Sequence, residues 1–176
     1  LKSGGVLVYS TCTVLPAENE DVVTAFLAAR EREGARLASD VLAKLEGIRG
    51  MVATIAARSA ENTATYRARF EERLRTVLGE TGVAFDEARV LTECAIYADR
   101  VAIDEELVRL SSHFDALEEL FASSEPVGRK IDFMLQETNR EINTIGSKCT
   151  DMRLARIVVD IKAELEKIRE QTQNIE

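Results

Sequence analysis

Three side chains that could perform acid–base chemistry lie along one flank of a predicted helix. Glu106, Arg109 and His113 are separated by three and four residues, so a helix would place a carboxylate, a guanidinium and an imidazole in a row. Such a row could transfer protons or orient a phosphodiester. The alternative is structural: the neighbouring acidic residues would favour the helix dipole, and His113 would be packed and hydrogen-bonded. Under the chemical interpretation, a divalent cation could bind the oxygen-rich residues just upstream, Glu93, Asp99, Asp104 and Glu105.

A second candidate site is an aromatic residue on the polar side of a later helix. With about 100° between successive residues, Phe133 falls opposite the apolar side of the helix predicted over residues 129–147. An exposed phenylalanine among arginines could stack on unpaired bases while the arginines contact phosphates. The alternative is a second buried face, packed against another helix or subunit. The polar neighbours of Phe133 are Arg129, Gln136, Glu137, Arg140 and Thr144.

The elements that position these residues are predicted to be helices. Hydrophobic residues make up 45% of the chain and recur at helical spacing, while aromatic residues make up 5% and there are two prolines. This composition excludes all-β folds and argues against intrinsic disorder. We therefore predict an all-α fold, an elongated bundle of about five to six helices, with a short N-terminal strand that lacks a sheet.

Local patterns give approximate bounds for these elements. Residues 6–10 form an apolar run typical of a buried strand, and Pro16 is suited to begin a helix. Asp86 and Asp104 are predicted N-caps. An apolar stripe over residues 37–55 predicts one helix, which glycines at 47 and 50 would weaken. Further helices are predicted over about 62–78, 86–99, 104–122, 129–147 and 151–173.

Charge, cysteine content and hydropathy limit the partners. The net charge is −8, but residues 129–176 hold nine basic and nine acidic side chains, so the acidic excess lies before them. The cysteines form no CxxC pair and His113 is the only histidine, which argues against a zinc site or a disulfide framework. No signal peptide or apolar run of about twenty residues is present, so we expect a cytoplasmic protein without a membrane partner.

Residues 128–148, with the sequence GRKIDFMLQETNREINTIGSK, and residues 162–176 resemble the C-terminal signature of the YicC-like endoribonuclease family. Shorter matches extend the resemblance over about residues 29–176. It implies a helical C-terminal domain of a cytoplasmic bacterial ribonuclease. Such an enzyme forms a ring-like homo-oligomer, here expected to assemble through helical faces, and cleaves structured RNA with a divalent metal, Mg²⁺ or Mn²⁺.

The resemblance also suggests roles for individual residues. His113, Glu106, Glu137 and Glu141 become candidates for catalysis, and the three glutamates are candidate metal ligands. Phe133 and Gln136 complete an RNA-binding set whose phosphate contacts would come from Arg100, Arg109, Arg129, Lys130, Arg140 and Lys148.

Residues 1–20 resemble a different family, the RNA cytosine-C5 methyltransferases. Cys12 stands where that family keeps its nucleophile, a thiolate that attacks C6 of the base. The cofactor loop of such an enzyme is not in this sequence, so we expect Cys12 to be inactive. The sequence is accordingly divided into a methyltransferase-like fragment, residues 1–28, and a helical domain, residues 29–176.

Two functions follow from these observations. The first is an endoribonuclease, represented here mainly by its C-terminal RNA-binding and catalytic domain. The alternative is a non-catalytic helical module for oligomerisation or RNA binding, because the N-terminal domain of the family is not in this sequence.

Overall fold

The computed structural model describes residues 8, 10, 15–81, 86–123 and 127–173, and within these residues the fold is all-α. The prediction of an all-α fold is confirmed. The predicted strand falls largely outside the described residues, which contain no strand. A 3₁₀ turn at Pro16–Glu18 precedes five α-helices in the described part: α1 (Glu20–Thr81), α2 (Glu87–Val101), α3 (Asp104–Ala122), α4 (Gly128–Lys148) and α5 (Met152–Gln173).

The first helix, α1, is longer than the sequence suggested. The helices predicted over residues 37–55 and 62–78 are one continuous element of 62 residues, roughly 93 Å long. Gly47 and Gly50 lie within it, and each costs only about 1 kcal/mol relative to alanine. That cost is outweighed because Leu45, Ile48 and Val52, on the intervening turns, are buried in the core.

The core lies where α1, α3, α4 and α5 pack together. α1 runs antiparallel to α5: Gln171 near the end of α5 donates to Asp40 at 2.6 Å, and Arg58 donates to Asp151, just before α5, at 2.7 Å. Short connections join α3 to α4 and α4 to α5, which makes these pairs antiparallel hairpins. α2 packs beside α1. The largest fully buried side chains include Phe114, Leu45, Ile48, Ile55, Leu110 and Leu117.

The two predicted helix caps had different outcomes. Asp86 caps α2, where its carboxylate accepts a hydrogen bond from the backbone N–H of Arg89 at 3.2 Å, so this prediction is confirmed. The prediction for Asp104 is wrong. Ile103 occupies the N-cap position because its side chain is buried in the core, and Asp104 is the first helical residue. Its carboxylate lies at the positive end of the helix dipole without a capping bond.

The first part of α1 extends beyond this core. The described residues ahead of Leu37 include no buried side chain, and the apolar side chains of Val22, Phe26 and Leu27 are exposed there. None of the described helices combines the length and hydrophobicity needed to cross a membrane.

Candidate functional site

Four predicted site residues meet where the beginning of α3 packs against the end of α4. We call Glu106, Arg109, Glu141 and Lys148 the α3–α4 charge cluster. Lys148 donates from Nζ to Glu106 Oε1 at 2.9 Å and to the carbonyl of Ala102 at 2.7 Å. Arg109 Nε lies 3.0 Å from Glu141 Oε2, and Arg109 Nη2 lies 3.5 Å from Glu106 Oε1. The cluster therefore ties two helices together through alternating charges.

Local sequence explains how each helix presents its half of the charge cluster. Glu106 and Arg109 are one turn apart on α3, and Glu141 and Lys148 are seven residues apart on α4, so each pair shares a helix face. The neighbouring positions on these faces include Leu110, Ile142 and Ile145, all buried. The carboxylates of Glu106 and Glu141 consequently lie at the edge of the apolar core.

Both carboxylates of the charge cluster are buried and both are paired. Glu106 is 3% exposed and Glu141 is 8% exposed. Burial raises the pKa of Glu106, but the hydrogen bond from Lys148 and the charges of Lys148 and Arg109 outweigh it, so the pKa lies below its usual value. Ion pairing with Glu141 raises the pKa of Arg109. The pairing therefore favours the ionised form of Glu106, although Glu106 Oε2 has no hydrogen-bond partner.

His113 and Glu137, the other two candidate catalytic residues, lie one turn away from the charge cluster. His113 follows Arg109 on α3; it is half-buried, and its Nδ1 is buried without a hydrogen-bond partner. Glu137 precedes Glu141 on α4 and lies 3.7 Å from Arg140. The contacts that define the cluster involve neither residue. Arg109 thus contacts both Glu106 and Glu141. His113 and Glu137 lie one helical turn away from these contacts.

The predicted metal ligands do not converge. In the described part of the chain, no three His, Cys, Asp or Glu side chains form a group that could hold a metal ion. Glu106 and Glu141 direct their carboxylates at Lys148 and Arg109 instead. Among the described residues, the predicted set of Glu106, Glu137 and Glu141 therefore does not form a three-ligand site, and neither do Glu93, Asp99, Asp104 and Glu105.

Phe133 lies exposed near the beginning of α4, as predicted. Its side chain is 59% exposed, so the alternative of a face buried within this chain is wrong. It borders a shallow depression between α3 and α4 with the exposed cations Arg129 and Lys130, together with Met134 and Leu120. A flat aromatic ring and two cations therefore share one accessible surface.

The remaining predicted RNA-binding residues separate into two groups. Gln136 donates to Asp132 at 2.7 Å, and Arg140 is exposed two turns beyond Phe133. We refer to Arg129, Lys130, Phe133, Gln136 and Arg140 as the Phe133 surface. Arg109 and Lys148 belong to the charge cluster instead, and Arg100 is exposed in the last turn of α2, two residues before the carbonyl that accepts from Lys148.

Sequence reasoning missed a cleft between α1, α2 and the connection to α5. Tyr66 of α1 and Tyr97 of α2 stack there with ring centroids 3.5 Å apart. Arg58 donates to Asp151 beside them, and this pairing is the main cause that lowers the pKa of Asp151 to about 2. No short-range pattern pointed to this site, because the two tyrosines are distant in sequence and Tyr66 also fits the apolar stripe of its helix.

Comparison with known proteins adds two matches. Residues 55–176 match the C-terminal domain of the YicC-like endoribonucleases, and residues 1–70 match the 16S rRNA methyltransferase RsmB/F family. A protein from Clostridioides difficile named probable endoribonuclease YicC is 41% identical over 157 residues, 89% of this chain and 53% of that protein. One of the same name from Haemophilus influenzae is 36% identical over the same shares. The chain thus spans about half the length of these relatives.

The similarity to an individual methyltransferase covers fewer residues than the family match. Ribosomal RNA small subunit methyltransferase B from Serratia proteamaculans is 70% identical over 27 residues, which is 15% of this chain and 6% of that protein. Cys12, which we expect to be an inactive counterpart of the methyltransferase nucleophile, lies outside the described residues.

Proposed function

The chain belongs to the YicC-like endoribonuclease family, and we propose that it supplies the part of such an enzyme that binds RNA and contributes to phosphodiester cleavage. One observation carries the proposal. α4, the helix at the centre of the family resemblance, presents an exposed aromatic surface with cations near its beginning and a buried charge cluster toward its end. A single element would thereby link RNA binding to chemistry.

The Phe133 surface is proposed to bind RNA. Phe133 would stack on an unpaired base, a contact worth about 1–3 kcal/mol per base. Arg129, Lys130 and Arg140 are exposed and would neutralise phosphates, releasing counterions. Gln136, whose amide donates to Asp132, would have to exchange that bond to contact RNA.

The α3–α4 charge cluster is proposed to position the scissile phosphate. Arg109 has a side chain that is 47% exposed and is oriented by contacts with Glu106 and Glu141. Arg109 Nη1 lies 3.5 Å from the carboxylate of the exposed Glu105; a phosphate that displaces Glu105 there could be held while the two buried carboxylates fix the guanidinium. His113, one turn along the same helix, is the proposed proton-transfer group. Glu106 and Glu141 would then act as positioning residues, with Glu137 beside them.

The divalent metal, the homo-oligomer and the cytoplasmic location remain proposals that derive from the family resemblance. A bound Mg²⁺ or Mn²⁺ would polarise the phosphate and activate water. Because the glutamates of the described chain do not form a three-ligand group, no step is assigned to the ion. We also propose that the methyltransferase-like fragment ends at residue 28, where the helical domain begins, and that Cys12 is inactive. A purified chain should therefore transfer no labelled methyl group to RNA.

The test is incubation of the purified chain with a labelled hairpin RNA and Mn²⁺, with and without chelator. We expect chelator-sensitive cleavage. His113→Ala should abolish cleavage while RNA binding and the circular dichroism spectrum are retained. Arg129→Ala combined with Arg140→Ala should weaken binding; the matched control, Arg32→Ala with Arg36→Ala, removes two exposed arginines from the first part of α1 and should not. Unchanged binding in the first double variant would refute the role of the Phe133 surface.

The second candidate function is a non-catalytic RNA-binding or oligomerisation module. Two observations favour it: the described carboxylates form no metal-binding group, and the chain spans about half of its relatives. RNA binding without chelator-sensitive cleavage would support this function over the first.

A further inference from the structure

A cleft away from the Phe133 surface has the composition of a nucleotide-binding site. It opens where α1, α2 and the connection between α4 and α5 meet, and its volume is about 400 Å³. Ligand pockets commonly measure roughly 300–1,000 Å³. The lining groups used below are Arg58, Asn62, Tyr66, Arg69, Tyr97 and Asp151.

The two tyrosine rings that line this cleft form a parallel stack, which a third ring outside the lining extends. Tyr66 and Tyr97 are 6° from parallel with centroids 3.5 Å apart, and Phe70 continues the stack at 5.6 Å and 12° from Tyr66. The hydroxyl of Tyr97 lies 3.3 Å from Thr150 Oγ1, a contact that orients the ring. Both tyrosines are only half-buried. The stack therefore offers an oriented π-surface to a planar ligand in the cleft.

The charges of the cleft favour an anionic ligand. Arg58 is paired with Asp151, to which the amide of Asn62 also donates at 3.5 Å. This pair is close to neutral as a unit, since Asp151 is ionised at neutral pH. Arg69 also lines the cleft and is exposed. The cleft thus combines ring faces, an amide and a net positive charge, which together match a base and its phosphate.

We propose that this cleft binds an unpaired nucleotide of an RNA strand, with the base against the Tyr66–Tyr97 stack and the phosphate at Arg69. The inference rests on the proposed RNA-binding function but uses different residues. Along α4 and the turn after it, the order is Phe133, Glu141, Lys148 and then Thr150, the residue that contacts Tyr97. The two RNA contacts would lie about 25 Å apart along the helix axis, and the charge cluster would fall between them.

The chain offers an unusually direct probe of this site. It has no tryptophan and three tyrosines, so Tyr9→Phe leaves only Tyr66 and Tyr97 as intrinsic fluorophores, both in the cleft. We expect a single-stranded RNA hexamer to quench this emission, because a base stacks on the rings. A blunt duplex containing the same strand should leave it nearly unchanged.

Affinity is measured in parallel, from the anisotropy of a labelled hexamer in the Tyr9→Phe background. Tyr97→Leu should weaken binding about 5- to 150-fold, the range equivalent to losing one base–aromatic stack. Tyr97→Phe keeps the ring and should bind nearly as well as its parent. Arg69 is exposed, so Arg69→Ala should weaken binding without loss of structure. This variant therefore tests the cleft even if Tyr97→Leu fails to fold.

Three results would overturn the inference, and they separate it from the proposed function. If the hexamer binds without quenching and Tyr97→Leu is neutral, the cleft is not used, although RNA binding stands. If free AMP quenches as strongly as the hexamer at equal concentration, the cleft is a mononucleotide site. If the hexamer does not bind, both proposals fail. Conversely, quenching that survives Arg129→Ala with Arg140→Ala would show that the cleft binds RNA independently of the Phe133 surface.

Discussion

The Phe133 surface and the α3–α4 charge cluster both use residues of α4 but are built in opposite ways. Phe133 is 59% exposed, whereas Glu106 is 3% exposed and is held by Lys148 and Arg109. Side chains on the first surface can change without disturbing the fold. Side chains of the charge cluster cannot change in this way, because a buried charge that loses its partner lowers the stability of the fold. Binding and structural integrity should therefore respond to different substitutions.

Among the residues of these two sites, the largest effect on stability is expected at Lys148. Lys148→Met leaves the buried carboxylate of Glu106 with only the more distant Arg109, and we expect a loss of about 3 kcal/mol in the free energy of unfolding. Urea denaturation measures it. Lys162→Met, at an exposed position of α5, is the control and should change stability by less than about 0.5 kcal/mol. Adding Glu106→Gln to Lys148→Met should restore part of the loss. Equal stability of the Lys148 and Lys162 variants would contradict the importance assigned to the cluster.

At Phe133 we expect a large effect on RNA binding and a small effect on the free energy of unfolding. Phe133→Ala should weaken binding of a single-stranded RNA by about 1–3 kcal/mol, the value of one stacked base. Its free energy of unfolding should change little, because the ring is exposed. Phe114→Ala is the comparison: that ring is buried, so its removal should destabilise the chain by about 3–5 kcal/mol. A stability loss at Phe133 similar to that at Phe114 would show that the ring is packed in solution, against another subunit for example.

The arginines of the Phe133 surface should alter the salt dependence of binding. Arg129→Ala combined with Arg140→Ala removes two phosphate contacts, so the slope of log K against log salt should become shallower by about 1.4 for single-stranded RNA. Titrations between low and moderate salt give the slope. The control with Arg32→Ala and Arg36→Ala should retain the parent slope, and the assignment fails if both double variants behave alike.

A smaller, pH-dependent effect is expected at Asp151. Its pKa is lowered to about 2 by the hydrogen bond from Arg58, with further bonds from the backbone of Arg153 and from Asn62. A depressed carboxyl pKa stabilises the folded state above the unfolded value, near 3.8, and this stabilisation is lost as pH falls toward 2. Asp151→Asn should therefore lower the urea midpoint at pH 6 and have a diminishing effect between pH 4 and pH 2. Arg58→Met should reproduce much of this behaviour; a difference that stays constant with pH would refute the pairing.

Much of the fold could be predicted because its signals are local. The periodicity of apolar residues identified α3, α4 and α5 closely, and Asp86 was identified as a cap from its position alone. The continuity of α1 could not be predicted from its own residues. Gly47 and Gly50 weaken the local pattern, and only packing of their neighbours against the other helices maintains the helix.

The candidate sites show the same difference between features of a single helix and contacts that join two helices. The angular position of Phe133 on one helix placed it opposite the apolar side, but the sequence left open whether that second side is buried; the structure shows the ring exposed within this chain. The pairing of Arg109 with Glu141 joins two helices, and spacing on α3 alone identifies no partner. Glu141 and Lys148 were proposed from family resemblance, without the contacts that the structure gives them. The stacking of Tyr66 on Tyr97 likewise depends on how α1 packs against α2, which no local pattern encodes.

The most direct test of an RNA-cleaving role is a single-turnover assay of the His113→Ala variant beside the parent chain, with labelled hairpin RNA and Mn²⁺, and with binding measured on the same samples. We expect the parent to cut the RNA and the variant to bind it equally well but to cut at least about 100-fold more slowly, the usual minimum for loss of a general acid or base. Equal cleavage rates would contradict the role of His113. RNA binding by the parent chain without any cleavage would contradict catalysis by this chain altogether.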